Sequence, residues 1–337
     1  MFNRDSAFST EIRDPNDPND KSPIVRTLTI GDELIIFKET SIHKFLTADT
    51  IDPEKSDMST RHSHERLYSV GAANSFVARM ILQFQDMIGL SVPNATRKNE
   101  LIKHVWEANK LLLECEKAYY HIYKHTIDLM PKCDEIVEAH KNKSAIPAIP
   151  KVPDLTTHVS DFLINGKKFL VAAYKLLHLF YQMPMDGNNE AHFDKHRAWI
   201  KTKLGEGHPI YKTLEADENW VRLISECSNA IRHEEPGLKL KVENFALKPG
   251  NKISSPAWRY DLTKRGLERQ DHYTDLIHDL DVHIYNMLTF FEELLLLCLQ
   301  DELKDHKLLA IFRRTKEQIN PKCPIAYEVH LKSQSAR

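Results

Sequence analysis

The chain has 337 residues and a mass of 39.1 kDa, room for about two average domains or one large helical domain with extensions. Only 10 residues are glycine, less than half the roughly 7% of ordinary usage; that argues against a turn-rich all-β fold, and no GxGxxG or GxxxxGK[ST] string offers a phosphate cradle. With 46 Lys+Arg against 48 Asp+Glu the net charge is −2, which excludes a globally basic nucleic-acid coat while leaving room for a local basic cleft.

Residues 1–24 are polar and carry Asp14-Pro15-Asn16-Asp17-Pro18-Asn19-Asp20, which reads as a mobile leader. Two β-rich runs about Gly31-Asp32 predict a small hairpin at about 27–38. Pro53 to Arg61 is a loop. From Ser63, apolar residues at Leu67, Val70, Phe76, Val77, Met80, Ile81 and Phe84 recur at three- and four-residue steps, predicting an amphipathic helix that stops near Gly89 and Pro93. A second helix runs from Thr96 to about Met130, before Pro131. Pro147, Pro150 and Pro153 make the next stretch a linker or extended crossing. A third long helix covers Asp154 to about Met183, and shorter ones lie around Glu190–Lys203 and Tyr211–Glu234.

Period-two alternation from Leu238 to Phe245, the turn Pro249-Gly250-Asn251-Lys252 and the run Ile253–Leu262 predict a hairpin at about 238–262. A last long helix spans Gln270 to Lys304. The expected fold class is therefore mainly α: a long-helix up-and-down bundle with two β-hairpins. The expected division is a leader and β-rich segment (1–60), a helical body with inserted hairpin (61–304) and a C-terminal tail (305–337). Composition is 42% hydrophobic and 28% charged, that of a globular rather than a disordered chain. Cys115, Cys133, Cys227, Cys298 and Cys323 are odd in number and lack a C-x-x-C pair, so neither a disulfide framework nor a cysteine zinc site is expected. The N-terminus has no signal-peptide core, and the most apolar tract, Leu294 to Leu299, falls far short of the roughly 20 residues of a membrane span. A cytoplasmic protein without membrane contact is expected.

The string from Trp220 to Gly237 carries the most chemistry. Val221, Ile224, Cys227 or Ser228, and Ile231 form an apolar face, and Pro236-Gly237 ends the helix. Asn229 and His233 are four apart, so they share one face and can touch the same ligand. A histidine near a helix C-terminus is favoured in its charged form by the macrodipole, which suits an acid or base near neutral pH. The alternative is a simple helix end, with Arg232 and His233 satisfying carbonyls.

A long helix, a helix ending in Asn-x-x-x-His followed by acidic residues, and a closing helix together resemble the HEPN (higher eukaryotes and prokaryotes nucleotide-binding) superfamily over roughly residues 97–300. The resemblance implies an all-helical, commonly homodimeric module. Its members are often metal-independent endoribonucleases of toxin or phage-defence systems, acting on RNA, sometimes beside an antitoxin partner. His233 would be the acid or base, Asn229 would orient the scissile phosphate or ribose, and the position before Asn229 would be Arg. Here it is Ser228, so Arg232, or Arg222 across a dimer, would have to supply the cation. That departure leaves a second reading open, a non-catalytic module binding nucleotide, RNA or a protein.

No cofactor is implied. His121-x-x-x-His125 and His192-x-x-x-His196 place imidazole pairs at zinc-compatible spacing, but no third ligand is fixed, and solvated helix surface is the favoured reading, with no metal. Arg61 with His62-Ser63-His64 forms a polar cluster that suits a helix cap or a nucleic-acid contact. His278-Asp279, with Asp275, Asp281 and His283, only faintly matches an HD-type phosphohydrolase. Trp258-Arg259-Tyr260 could stack bases and hold phosphates, although alternation equally describes a strand packing Trp258 and Tyr260 inward. Arg313, Arg314 and Lys316 read as a solvated basic face.

Overall fold

The structure is a computed structural model that describes residues 20–184 and 193–332. Most of the expected leader, and His192, lie outside these residues. The chain forms two compact units, one drawn from 20–109 and 299–332, the other from 110–184 and 193–298.

In the first unit, strands β1 (Ile24–Ile30) and β2 (Glu33–Lys38) form the expected hairpin about Gly31-Asp32, pairing Ile30 with Glu33. The sheet continues through β3 (Ile42–Leu46) to β4 (Ser63–Tyr68), in the antiparallel order β1-β2-β3-β4. The short helix α1 (Ala48–Ile51) lies in the connection. Residues 63–68 are thus a strand, paired from Leu46↔Ser63 to Ile42↔Tyr68, where a helix was expected. Helix begins only at α2 (Ser75–Val77), with the Asn74 side chain accepting from the Phe76 amide, and passes through a π-helical turn at Ala78–Leu82 into α3 (Gln83–Ser91). Ile35, Phe37 and Ile42 of the sheet and Val77, Ile81 and Phe84 of the helices are buried, and the Phe37 ring meets Trp106 edge-on at 5.7 Å. Burial of so many aliphatic and aromatic side chains is the main stabilising term, at about 25 cal/mol per Å² of apolar surface.

One buried charge pair anchors this unit. Lys38 donates to the Asp20 carboxylate at 2.8 Å, with both side chains almost fully buried. Burial alone would raise the Asp20 pKa. The Lys38 ammonium with the Ser22 and Ser41 donors outweighs it and holds the carboxyl well below its usual range.

Helix α4 (Ala95–Ala139) starts in this unit and continues in the second. It runs on through Pro131, where an end was expected. A proline inside a helix removes one hydrogen bond and crowds the preceding turn, and here the helix persists for two further turns. Helix α5 (Leu155–Tyr181) follows the proline-containing crossing, then α6 (Phe193–Leu204), α7 (Pro209–Ala216) and α8 (Glu218–Arg232). The helix expected over 211–234 is therefore two, divided at Asp217.

The expected hairpin at 238–262 is more elaborate. Strand β5 (Lys239–Glu243) pairs with β8 (Ala257–Asp261), and β6 (Ala246–Lys248) and β7 (Lys252–Ser254) form a nested ribbon turning at Gly250-Asn251. Strand β9 (Thr274–Asp275) adds a third member to the first sheet, in the order β5-β8-β9. Helix α9 (Leu276–Glu302) closes the second unit and ends in the first. Within the second unit, Phe162, Phe169 and Leu170 of α5, Ile224 and Cys227 of α8, and Leu280, Met287 and Phe291 of α9 are buried. Helix α9 is long and apolar enough to cross a membrane by length and composition, yet 67% of its most apolar window is buried inside the protein.

The C-terminal segment is not a plain tail. Strands β10 (Leu309–Arg313) and β11 (Tyr327–Leu331) pair antiparallel, and Gln83 Oε1 accepts from the amides of Ala326 and Tyr327, both at 2.8 Å. With 53% helix, 19% strand and four antiparallel sheets, the fold is a mixture of α and β. The expected all-helical bundle is corrected. Low glycine content did not exclude sheet, because most of these strands are joined by longer segments rather than tight glycine turns.

Candidate functional site

Helix α8 forms where Val221, Ile224, Cys227 and Ser228 recur on one face, and that face is buried. It packs on α5, where Gly166 lies against Ile224. The next residue, Lys167, donates to Asn229 Oδ1 at 2.9 Å. Asn229 in turn donates to Glu226 Oε2 at 2.9 Å, so the amide of the motif is engaged on both sides by its own protein.

The helix ends at Arg232, and His233 is its C-cap, with φ −138° and ψ 66°. The His233 amide donates to the Asn229 carbonyl at 2.9 Å, but the imidazole leaves the helical path. The expected shared face of Asn229 and His233 is therefore lost: a backbone bond joins them instead. The ring is exposed and makes no hydrogen bond among the described residues. Arg232 folds back on its own helix, donating through Nε to the Ser228 carbonyl at 3.0 Å and through Nη2 to Asn229 Oδ1 at 3.4 Å. Ser228, at the position where the resemblance calls for Arg, is fully buried, and its hydroxyl has no partner among the described residues. The position is enclosed by the protein, which does not leave a guanidinium there open to a phosphate.

Other cations reach the helix end from the segment after β8. Gly237 has a left-handed φ of +73°, and a Cβ there would come within 3.0 Å of Thr263 Oγ1 and 3.1 Å of the Lys264 nitrogen. The absence of a side chain lets the turn Thr263–Arg265 press against this loop, with Lys264 N–H bonded to the Gly237 carbonyl at 2.9 Å. Lys264 Nζ then pairs with Glu235, Arg265 Nε lies 3.4 Å from Glu226 Oε2, and Arg222 Nη2 donates to the Arg265 carbonyl at 2.9 Å. The Glu235 carboxyl is held below its usual pKa, first by the Lys264 hydrogen bond and further by the charges of Lys264, Arg265 and His233. Lys264, Arg265 and His233 therefore gather around one exposed carboxylate. Lys264 and Arg265 continue the aromatic and basic run of the second hairpin, where the sequence already suggests phosphate-holding cations, although not beside the α8 end. Lys167 gives no local signal, being one lysine on a long helix.

The other sequence candidates divide. Trp258 is buried, donates from Nε1 to Asp279 Oδ2 at 2.7 Å and meets the His283 ring edge-on, so it is a core residue and no base-stacking platform. Asp279 also accepts from Thr274 Oγ1 at 2.6 Å, which gives the His278-Asp279 pair a structural use. His283 is buried beside it; desolvation lowers its pKa to about 4, against a smaller upward pull from Asp279. Arg259 points to the opposite face of the sheet and stacks on the Tyr273 ring at 4.8 Å. Arg61 is exposed in the first unit, in the loop before β4, and His62 Nδ1 accepts from the Ala48 amide at the start of α1.

His121 and His125 are joined by His158 of α5: the His121 ring lies 3.8 Å from that of His158 and 4.4 Å from that of His125, centre to centre. Burial and then the two neighbouring imidazoles depress the His121 pKa. The His121 and His158 rings are stacked and the His125 ring is tilted against His121, and among the described residues no three His, Cys, Asp or Glu side chains are arranged to hold a metal ion. His196 packs inward on the Tyr174 ring.

Comparison with known protein families, curated proteins and solved structures finds no match to this chain.

Proposed function

We propose that the second unit is an RNA-binding module, a divergent relative of the HEPN superfamily, that holds phosphates at the α8 end without cutting the strand. The observation that carries this reading is the orientation around Asn229. Ser228 faces the core, Arg232 is folded onto its own carbonyls, and Asn229 is occupied by Lys167 and Glu226. Cleavage by a ribose 2′-hydroxyl needs a positioned base and a cation on the phosphate oxygens, and neither is assembled. Binding needs only cations that solvent reaches, and the Lys264 and Arg265 side chains, each about half exposed, can exchange their contacts with Glu235 and Glu226 for phosphates. The five free thiols suit a reducing compartment, and the reading places the protein in the cytoplasm.

One observation favours a second reading, metal-independent endoribonuclease activity: the exposed His233 ring, free of hydrogen bonds among the described residues. Labelled single-stranded RNA incubated with the full chain in EDTA decides between them. The binding reading expects salt-sensitive retention of intact RNA by wild type and by His233→Ala alike. Cleavage by wild type that disappears in His233→Ala would replace it with the nuclease reading.

A further inference from the structure

We infer that the outward face of the β5-β8-β9 sheet is a second phosphate-binding surface, on which an RNA strand continues from the α8 end. This rests on the RNA-binding reading above, but it concerns different residues and stands on its own geometry. Alternation puts Trp258 and Tyr260 into the core and turns Lys239, Lys241, Arg259 and Asp261 outward. In the antiparallel register Lys241 stands directly opposite Arg259. Like charges in that position destabilise a sheet, and neither residue has a carboxylate partner among the described residues. Glu243 and Asp261 share this face, but Glu243 pairs with Lys248 and neither carboxylate contacts Lys241 or Arg259; an anion that bridges the two cations would offset their repulsion.

The surface is shaped as well as charged. Lys239, Lys241, Arg259, Arg269 and Gln270 line a cleft of about 240 Å³ together with Tyr260 and Asp261; Lys239 lies 3.5 Å from Glu234 and Arg269 3.7 Å from Asp271, which leaves Lys241 and Arg259 as its uncompensated cations. The cleft is smaller than the roughly 300–1,000 Å³ of drug-sized ligand pockets, and it suits a phosphate with its ribose. The Arg259 guanidinium lies 4.8 Å from the centre of the Tyr273 ring, a cation–π contact that limits its freedom. From Arg259 to Arg265 the chain takes six steps, so the two cationic groups lie within about 20 Å along it. A strand of about ten nucleotides covers both, a site size usual for single-strand binders.

The test is titration of a labelled RNA ten-mer with the full chain at several salt concentrations. Lys241→Gln with Arg259→Gln is expected to weaken binding about tenfold at low salt and to reduce the slope of log affinity against log salt by about 1.4, two single-strand phosphate contacts. The exchange Lys241→Arg with Arg259→Lys keeps both charges and is expected to retain the wild-type slope, which separates lost charge from a damaged sheet. Arg313→Gln with Lys316→Gln makes the same change of net charge in the first unit and is expected to leave the slope unaltered. Wild-type slope in the Lys241/Arg259 neutralised protein would overturn the sheet surface while leaving RNA binding at α8 intact. Failure of wild type to bind RNA at all would overturn both.

Discussion

The amide of Lys264 donates to the carbonyl of Gly237 at 2.9 Å, and this bond fastens the cationic turn to the end of the motif helix. Position 237 cannot carry a side chain without strain, since its φ is +73° and a Cβ would press on Thr263 and Lys264. Gly237→Ala is therefore expected to destabilise the protein by about 1–2 kcal/mol, the cost of a left-handed backbone for an L-residue. It is also expected to weaken RNA binding by displacing Lys264 and Arg265. Urea unfolding and an RNA titration check the two effects; unchanged affinity in a folded variant would mean that the turn does not position the binding cations.

Trp258→Phe separates packing from recognition. The substitution keeps an aromatic ring in the core but deletes the donor to Asp279. A buried acceptor that loses a partner costs about 1–3 kcal/mol, less here because Asp279 is only half-buried and Thr274 still donates to it. The midpoint of urea unfolding is expected to fall while RNA affinity stays within twofold of wild type. A large loss of affinity at unchanged stability would return Trp258 to the binding surface.

Acid sensitivity follows from the buried imidazoles. His283 titrates at about 4 in the folded chain because burial penalises its charged form, against a value near 6.5 when unfolded. Between those values the unfolded chain binds more protons, so stability is full above about pH 6.5 and declines as pH falls toward 4. The shift is worth about 3 kcal/mol at the acid end. His121, whose pKa is also lowered, acts in the same direction. His283→Gln, which cannot take up a proton, is expected to flatten the stability profile between pH 6.5 and 4; an unaltered profile would remove His283 as its source.

The elements written by local pattern were readable from sequence. Helix 155–181 carries an unbroken three-and-four stripe, and its predicted span of 154 to about 183 needs little adjustment. The first hairpin likewise announces itself by two β-rich runs about Gly31-Asp32. The strand at 63–68 was missed because Leu67 and Val70 fit the helical period of the residues that follow, while its real partner is β3 across a 16-residue connection. Strands β10 and β11 were missed for the same reason: Leu309-Ala310-Ile311-Phe312 has no alternation, and its pairing is fixed only by contact with 327–331.

The candidate site shows the same limit on a finer scale. The Pro236-Gly237 stop was legible, but the helix ends one residue before His233, and that single residue removes the ring from the face of Asn229. Helix ends move by a residue or two with their tertiary surroundings, so spacing alone could not place the imidazole.

What the sequence determined by itself is local: which stretches bury an apolar stripe and where prolines and glycines interrupt, together with a net charge near zero for the chain as a whole. The tertiary structure decided what meets what. Lys167, Asn229, Glu226 and Arg265 come from three separate segments, and only packing of α5 and of the 263–265 turn on α8 brings them together. The inward turn of Ser228 and Trp258 agrees with the helical and strand periods, but the partners that enclose Trp258, Asp279 and His283, come from a distant helix that a local period does not encode.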